Sequence, residues 1–169
     1  MKRIYIILFC CLIINVLVFP QNTIHSTVGG GEWHVASTWI EGIVPGANDN
    51  VVIQGTVVQH YVVGYDIYPV YCNDLTITAA GTLTNGPYGG GAGIFLVYVG
   101  GNIVNYGQVK NGLNDFLKII VYGNLENNNI WMPYETELQG NQNHNLSLAS
   151  GKSFGSKIKN FSPTLTALT

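Results

Sequence analysis

The chain has 169 residues, of which 47% are hydrophobic and only 9% are charged, and its formal net charge at pH 7 is −2. This length suits one domain, and the acidic balance lacks the basic surface that nucleic-acid binding requires. We therefore expect no nucleic-acid partner for this protein.

The first 22 residues have the pattern of a secretory signal peptide, because Lys2 and Arg3 precede an apolar run at 4–19 that stops at Pro20. The run is shorter than the roughly 20 residues that a membrane-spanning helix needs. An uncleaved N-terminal anchor is the alternative interpretation. The pattern predicts an extracellular or outer cell-surface location, with no stable membrane span after signal cleavage.

The segment that follows the signal has little charge and one cysteine. It keeps five lysines against nine acidic residues, a formal net charge of −4. A single cysteine, Cys72, cannot form an internal disulfide, so we expect an apolar core to hold the fold together. Cys72 itself is predicted to be a small buried hydrophobic residue rather than a nucleophile.

Short β-branched and aromatic runs, separated by Gly and Asn, fill the rest of the chain, and no 3.6-residue amphipathic pattern occurs there. Gly and Asn suit the sharp corners between such runs because they accept left-handed backbone angles. The predicted strands, in chain order, are 51–53, 56–59, 75–78, 82–84, 95–99, 102–104, 117–121 and 146–148.

These runs repeat. The segments 95–105 and 117–127 align with an offset of 22 residues, which places Asn105 over Asn127. Fixed periods of 20–50 residues indicate solenoids. We therefore predict an all-β fold, a right-handed parallel β-helix with coils of about 22 residues, each long enough for three short strands and three corners. An antiparallel β-sandwich is the alternative; it explains the alternation of apolar residues but not the period.

The repeat predicts three stacks of equivalent side chains across the coils. The first apolar ladder would contain Ile53, Ile77, Val97 and Ile119. The second apolar ladder would contain Val57, Leu83, Ile103 and Leu125. A corner stack, in which amides bond between coils, would contain Asn85, Asn105 and Asn127.

The domain organisation expected from these patterns is a signal peptide at 1–22, an N-terminal cap segment at 23–50 and β-helix coils at 51–169. The coils are expected to be incomplete at the C-terminus, where an open end would allow self-association. Two segments, 61–71 and 131–143, interrupt the repeat, and insertions into solenoids often form the binding face. The first insertion is the densest aromatic cluster and gives the predicted ligand-binding residues Tyr61, Tyr65, Tyr68 and Tyr71.

The segment 31–53 resembles the opening of large secreted β-helix proteins of Bacteroidetes, many of which end in a sorting domain for the type IX secretion system. It is also similar to the glycine-rich extracellular domain of animal surface proteins linked to hyaluronan breakdown. The resemblance implies a parallel β-helix and export. The residues that carry it are Trp33, Trp39, Gly42, Pro45, Asp49 and Ile53.

Trp33, Trp39 and Pro45 are predicted to form a structural cap, because a solenoid must cover the apolar side chains and unpaired backbone of its first coil. The two tryptophans lie just before the first strong strand and are large enough to act as a lid. The alternative is that they are platforms on which sugars stack.

Three aspartates are the candidate catalytic residues: Asp49, Asp74 and Asp115 each precede a strand, at spacings of 25 and 41 residues. If they lined one edge of the stack, they would resemble the acidic clusters of β-helical enzymes that cleave galacturonan or bind calcium. The alternative is that Asn-Asp turns simply start strands. The histidines are too widely spaced to suggest a metal site, and no cofactor motif is present.

These observations favour a secreted or cell-surface β-helix module that is non-catalytic, adhesin-like or in contact with polysaccharide or a cell-surface glycan. The alternative is a glycan-active enzyme of β-helix type, a polysaccharide lyase or glycoside hydrolase, that uses the three aspartates. A third hypothesis is a purely structural stalk.

Overall fold

The computed structural model describes residues 21–60, 68–86, 93–112, 115–162 and 165–166. In these ranges the protein is all-β, with one short 3-10 helix at Ala36–Thr38 and no α-helix. Nor does this part of the chain contain a helix long and apolar enough to cross a membrane. The strands are β1 (Thr23–His25), β2 (Gly31–Glu32), β3 (Asn50–Ile53), β4 (Thr56–Gln59), β5 (Val70–Cys72), β6 (Leu75–Ile77), β7 (Thr82–Asn85), β8 (Ile94–Val99), β9 (Ile103–Asn105), β10 (Gln108–Lys110), β11 (Phe116–Val121), β12 (Leu125–Asn127), β13 (Ile130–Met132), β14 (Glu135–Leu138), β15 (His144–Leu148), β16 (Lys157–Asn160) and β17 (Leu165–Thr166).

The strands form three sheets, which the chain visits in turn. The first sheet has the order β1-β3-β6-β9-β12-β15-β17, the second β13-β10-β7-β4-β2, and the third β16-β14-β11-β8-β5. We call one passage through the three sheets a circuit. All pairings between these described strands are parallel. The prediction of parallel sheets is confirmed, and the alternative of an antiparallel sandwich is wrong.

The 22-residue match between neighbouring segments is confirmed. Val97 pairs with Ile119 in the third sheet, and Ile103 pairs with Leu125 in the first. All four side chains are completely buried. Burial of such apolar residues from every sheet supplies the main favourable term in folding, about 25 cal/mol for each Å² removed from water.

The first predicted ladder is wrong in composition. Ile53 and Ile77 pair in the first sheet, where the next position is Asn105. Val97 and Ile119 pair in the third sheet instead. The prediction therefore joined inward positions of two different sheets into one stack.

The second predicted ladder is divided in the same way, because Val57 and Leu83 belong to the second sheet whereas Ile103 and Leu125 belong to the first. The reason is that the circuits differ in length. Hydrogen bonds between equivalent positions at one corner join residues that are 24, 28, 22 and 21 apart. A fixed offset of 22 residues therefore does not connect equivalent positions in every circuit, and it can join positions that belong to different sheets.

The predicted corner stack of asparagines is correct for two members and wrong for the third. Asn105 and Asn127 are fully buried, and the Nδ2 of Asn105 donates a hydrogen bond of 2.7 Å to the Oδ1 of Asn127. Asn85 lies in the second sheet, where it pairs with Gln59. The longer circuit before Asn105 again explains the error.

The segment 131–143 is not an insertion, contrary to the prediction. It contains most of β13 and all of β14, which pair in register with β10 and β11. Of the other predicted insertion, 61–71, residues 61–67 lie outside the described ranges. Its last two residues already belong to β5.

The predicted cap segment, 23–50, contains strands that extend two of the sheets. β1 and β2 pair with β3 and β4. Residues 38–40 then run antiparallel along the other edge of β1, where Thr27 N donates to Thr38 O and Ile40 N donates to His25 O, both at 2.8 Å. The backbone oxygen of His25, the last residue of this edge strand, is therefore paired rather than exposed.

Replacing Asn127 with Ala should lower the free energy of unfolding by about 2–3 kcal/mol, because it leaves buried polar groups without partners. The Oδ1 of Asn127 accepts from Asn105 and from Asn129 N, and its Nδ2 donates to Ser153 O at 3.1 Å. Urea unfolding measures the change. Asn143→Ala, at an exposed position, is the control and should stay within about 0.5 kcal/mol of the parent; equal effects of the two substitutions would contradict the account.

Candidate functional site

The outward surface of the third sheet carries apolar and aromatic side chains. Alternate residues of a strand point to opposite faces. Along β8, Phe95 and Val97 point inward and are fully buried, whereas Leu96 and Tyr98 lie on the outward face and are half-buried. Ile94, on the same outward face, is 52% exposed. A strand that is apolar on both faces usually covers or contacts something on each of them.

Two tyrosines form a stacked pair on this surface. Tyr71 of β5 and Tyr98 of β8 are register partners. Their ring centroids are 5.0 Å apart and the planes differ by only 16°. Tyr71 remains 44% exposed, so the pair presents a broad aromatic surface to solvent.

A second aromatic pair lies at the other end of the strands. The rings of Phe116 and Tyr134 are 4.3 Å apart, and Tyr134 is 50% exposed. Phe116 precedes Ile120, the register partner of Tyr98, by four residues, which corresponds to about 13 Å along a strand. We call this surface the aromatic face; it comprises Tyr71, Ile94, Leu96, Tyr98, Phe116 and Tyr134.

The same outward surface continues into a charged cluster, which we define as Lys118, Glu135, Glu137, Lys157 and Lys159. The Nζ of Lys118 is 2.7 Å from Glu137 and 3.4 Å from Glu135, and the Nζ of Lys159 is 2.8 Å from Glu135. Both carboxylates are buried beneath the lysines, with residue exposures of 5% and 6%. The cluster joins β11, β14 and β16 across the third sheet.

Charge pairing shifts the titration of both kinds of partner. Burial disfavours the Glu135 carboxylate, but the hydrogen bonds and charges of Lys159 and Lys118 prevail and hold the pKa of Glu135 below its ordinary value. Burial also disfavours the Lys118 ammonium, yet Glu137 and Glu135 prevail and raise the pKa of Lys118. Glu135 is therefore ionised at neutral pH and a poor general acid there.

The three candidate catalytic aspartates do not share one edge. Asp49 and Asp74 lie at the starts of first-sheet strands, where Asp49 accepts from Gly46 N at 2.9 Å. Asp115 instead precedes β11 of the third sheet and accepts from Gly93 N at 2.7 Å. The expectation of a common edge is thus wrong for Asp115. The 41 residues from Asp74 to Asp115 end at the corner before a third-sheet strand, whereas Asp74 lies at the corner before a first-sheet strand. The observed bonds are those of residues that start strands.

The predicted ligand-binding tyrosines are only partly placed. Tyr61 and Tyr65 lie outside the described residues. Tyr68 is 49% exposed and lies two residues before the start of β5. Tyr71 belongs to the aromatic face. The sequence prediction missed Tyr98, which stacks on Tyr71. The available signal was the continuous apolar run of β8, which leaves apolar side chains on the outward face.

The predicted cap residues are all buried. Trp33 and Trp39 are 1% and 2% exposed, and their rings meet edge to face at 5.2 Å. The Nε1 of Trp39 donates to the backbone oxygen of Trp33 at 2.9 Å, and Pro45 is also buried. Buried rings have no free face for a sugar. The capping role remains a prediction, with which this burial agrees.

Comparison with known proteins gives no relative: no family model, no curated protein and no solved structure matches the chain. Within the described ranges, no group of three His, Cys, Asp or Glu residues is placed to hold a metal ion.

Replacing Glu135 with Gln should lower the free energy of unfolding at pH 7 by about 1–3 kcal/mol, because charged hydrogen bonds are lost. The folded pKa of Glu135 lies below the ordinary value of 4.5. Its stabilisation is therefore present above about pH 4.5 and is lost as the pH falls through the folded pKa. Urea unfolding at pH 7 and pH 3 should show the difference between parent and variant shrink at the lower pH.

Glu126→Gln is the matched control for this measurement. Glu126 is half-buried on the first sheet and, among the residues that the structure describes, accepts one hydrogen bond, of 2.7 Å, from Asn128. Its substitution should change stability by less than about 1 kcal/mol. A Glu135→Gln penalty that is the same at both pH values would show that the lysines do not stabilise the carboxylate.

Proposed function

We propose that the protein is a secreted or cell-surface module, non-catalytic and adhesin-like, that contacts polysaccharide through the aromatic face. The signal-peptide pattern at 1–22 supports export, and so does the resemblance of 31–53 to the opening of secreted β-helix proteins of Bacteroidetes. The location is accordingly extracellular or at the outer cell surface.

The proposed scaffold is a right-handed parallel β-helix. Three parallel sheets visited in a fixed order, with inward apolar positions aligned from circuit to circuit, support it. Such a scaffold is rigid, and each outward surface is a regular array of side chains. A ligand would therefore meet side chains that need little further ordering, which reduces the entropic cost of binding.

The observation that carries the proposal is the stacked pair of Tyr71 and Tyr98 on an outward sheet surface. Aromatic faces pack on the apolar C–H faces of sugars, and the phenol hydroxyls add polar contacts at the ring edge. The second pair, Phe116 and Tyr134, lies about 13 Å further along the strands. A ligand that touches both pairs must be extended, which favours a glycan chain over a single sugar.

The enzyme hypothesis has less support. Asp49, Asp74 and Asp115 each accept a backbone N–H, and they lie at two different corners. The pair Glu135 and Glu137 is held between lysines rather than across an open cleft. Neither arrangement offers a free acid and base facing one bond, so we propose the non-catalytic role.

The Tyr71→Ala, Tyr98→Ala double variant should bind its glycan roughly tenfold more weakly, a loss of about 1.4 kcal/mol. The physical reason is the removal of two stacking surfaces, each contributing about 0.7 kcal/mol. The measurement is a screen of the parent chain on a polysaccharide array, followed by isothermal titration of the strongest ligand with parent and variant.

Tyr106→Ala is the matched control, because Tyr106 is similarly exposed, at 49%, but lies outside the aromatic face. Its affinity should equal that of the parent. Glycan binding that survives the double substitution unchanged would remove Tyr71 and Tyr98 from the site. Release of reducing ends from the bound polysaccharide would favour the enzyme hypothesis instead.

A further inference from the structure

A row of amide and carboxylate side chains marks the corner at which each circuit enters the first sheet. The positions are equivalent in successive circuits, because the strands that follow them pair in register. Asn50 begins a strand, the next three members each directly precede one, and the last member is the second residue of β15. We call this set the corner row; its members are Asn50, Asp74, Asn102, Asn124 and Asn145.

In four of the five members, Asn50, Asp74, Asn102 and Asn124, one side-chain oxygen accepts a hydrogen bond from the next circuit. The Oδ1 of Asp74 accepts from Asn102 N at 2.7 Å, and the Oδ1 of Asn102 accepts from Asn124 N at 2.9 Å. The Oδ1 of Asn124 accepts from Asn145 N, also at 2.9 Å. These bonds restrict the orientations of the Asn102 and Asn124 amides, so their Nδ2 donors are partly ordered before any ligand arrives.

The Nδ2 groups of Asn102 and Asn124 have no hydrogen-bond partner among the described residues, and both residues are exposed. Strand spacing places successive members of the row about 4.8 Å apart. The row therefore offers a regular series of oriented donors to solvent.

These donors line a cleft of about 370 Å³ on the outward side of the first sheet. Val104 contributes apolar surface to it, while Glu126 and Ser147 contribute oxygens. One carboxylate oxygen of Glu126 accepts a hydrogen bond of 2.7 Å from the Nδ2 of Asn128. The cleft thus combines fixed donors, acceptors and an apolar strip, without any lysine among its lining residues.

We propose that this cleft binds a neutral polyhydroxylated chain, a segment of uncharged glycan. Sugar hydroxyls both accept and donate, so they match the Nδ2 donors and the Glu126 carboxylate together. An anionic glycan would meet the Glu126 charge with no cation to offset it. The proposal rests on the proposed glycan-contacting function and adds a second contact surface on a different sheet.

Two members of the corner row can be replaced with Asp in a way that keeps the hydrogen bond to the next circuit. Asp74 occupies the row and makes the same bond to the next circuit that Asn102 and Asn124 make. Asn102→Asp and Asn124→Asp therefore keep the structural acceptor and delete the donor. Asn143→Asp, at an exposed position outside the row, adds the charge of one such substitution and is the control for each single variant.

The test is NMR titration of the ¹⁵N-labelled chain with cellohexaose, xylohexaose and mannohexaose. With at least one of these neutral probes, the side-chain NH₂ signals of Asn102 and Asn124 should shift. The Asn102→Asp, Asn124→Asp double variant should bind that probe about tenfold more weakly, because two hydrogen bonds are lost. Unchanged backbone spectra away from the cleft establish that the variant folds, and Asn143→Asp should bind like the parent.

The outcomes separate this cleft from the aromatic face. Shifts at Asn102 and Asn124 that persist in the Tyr71→Ala, Tyr98→Ala variant support the cleft even if the aromatic face fails. Signals that shift only at Tyr71 and Tyr98 would contradict binding in the cleft and support binding at the aromatic face. Asn102 and Asn124 signals that stay unmoved by all three probes at their solubility limits, or a double variant that binds as the parent does, also overturn it.

Discussion

The hydrogen bond from a backbone N–H to the Asn or Asp side chain of the preceding circuit is the interaction on which the register of the first sheet depends. Parallel strands lie about 4.8 Å apart, and a slip of one residue would turn every inward side chain outward. The bonds of Asp74, Asn102 and Asn124 fix the starting point of three successive strands. The inward ladders that include Ile103 and Leu125 follow from that register.

The same register places the surfaces to which we assign function. In the third sheet it brings Tyr71 against Tyr98, although the two are 27 positions apart in the sequence. It also brings Lys118 of β11 and Lys159 of β16 against Glu135 of β14, so that three strands are tied by charge on the surface that carries the aromatic residues. Stability and proposed binding therefore rest on one geometric constraint, the parallel register of the strands.

Much of the fold could be predicted from the sequence, because local patterns report it. The strands, the absence of helical periodicity and the stacking of Val97 on Ile119 all depend on neighbouring segments. The composition of the ladders could not be predicted, since circuits of 21 to 28 residues break a fixed offset. The charged cluster could not be predicted from the sequence for a related reason. Its lysines and glutamates come from strands that are separated in the sequence and meet only across the third sheet.

Disulfide trapping tests the register most directly. Val104 and Glu126 are outward-facing register partners, so cysteines at both positions should lie about 4.8 Å apart, within the range of a disulfide. Thr76 is one strand further away, so Thr76→Cys with Glu126→Cys spans about 9.6 Å and should not close. Mass spectrometry of the oxidised protein should find an intramolecular disulfide in the first pair only. Efficient closure of the second pair, or none of the first, would contradict the parallel stack of circuits.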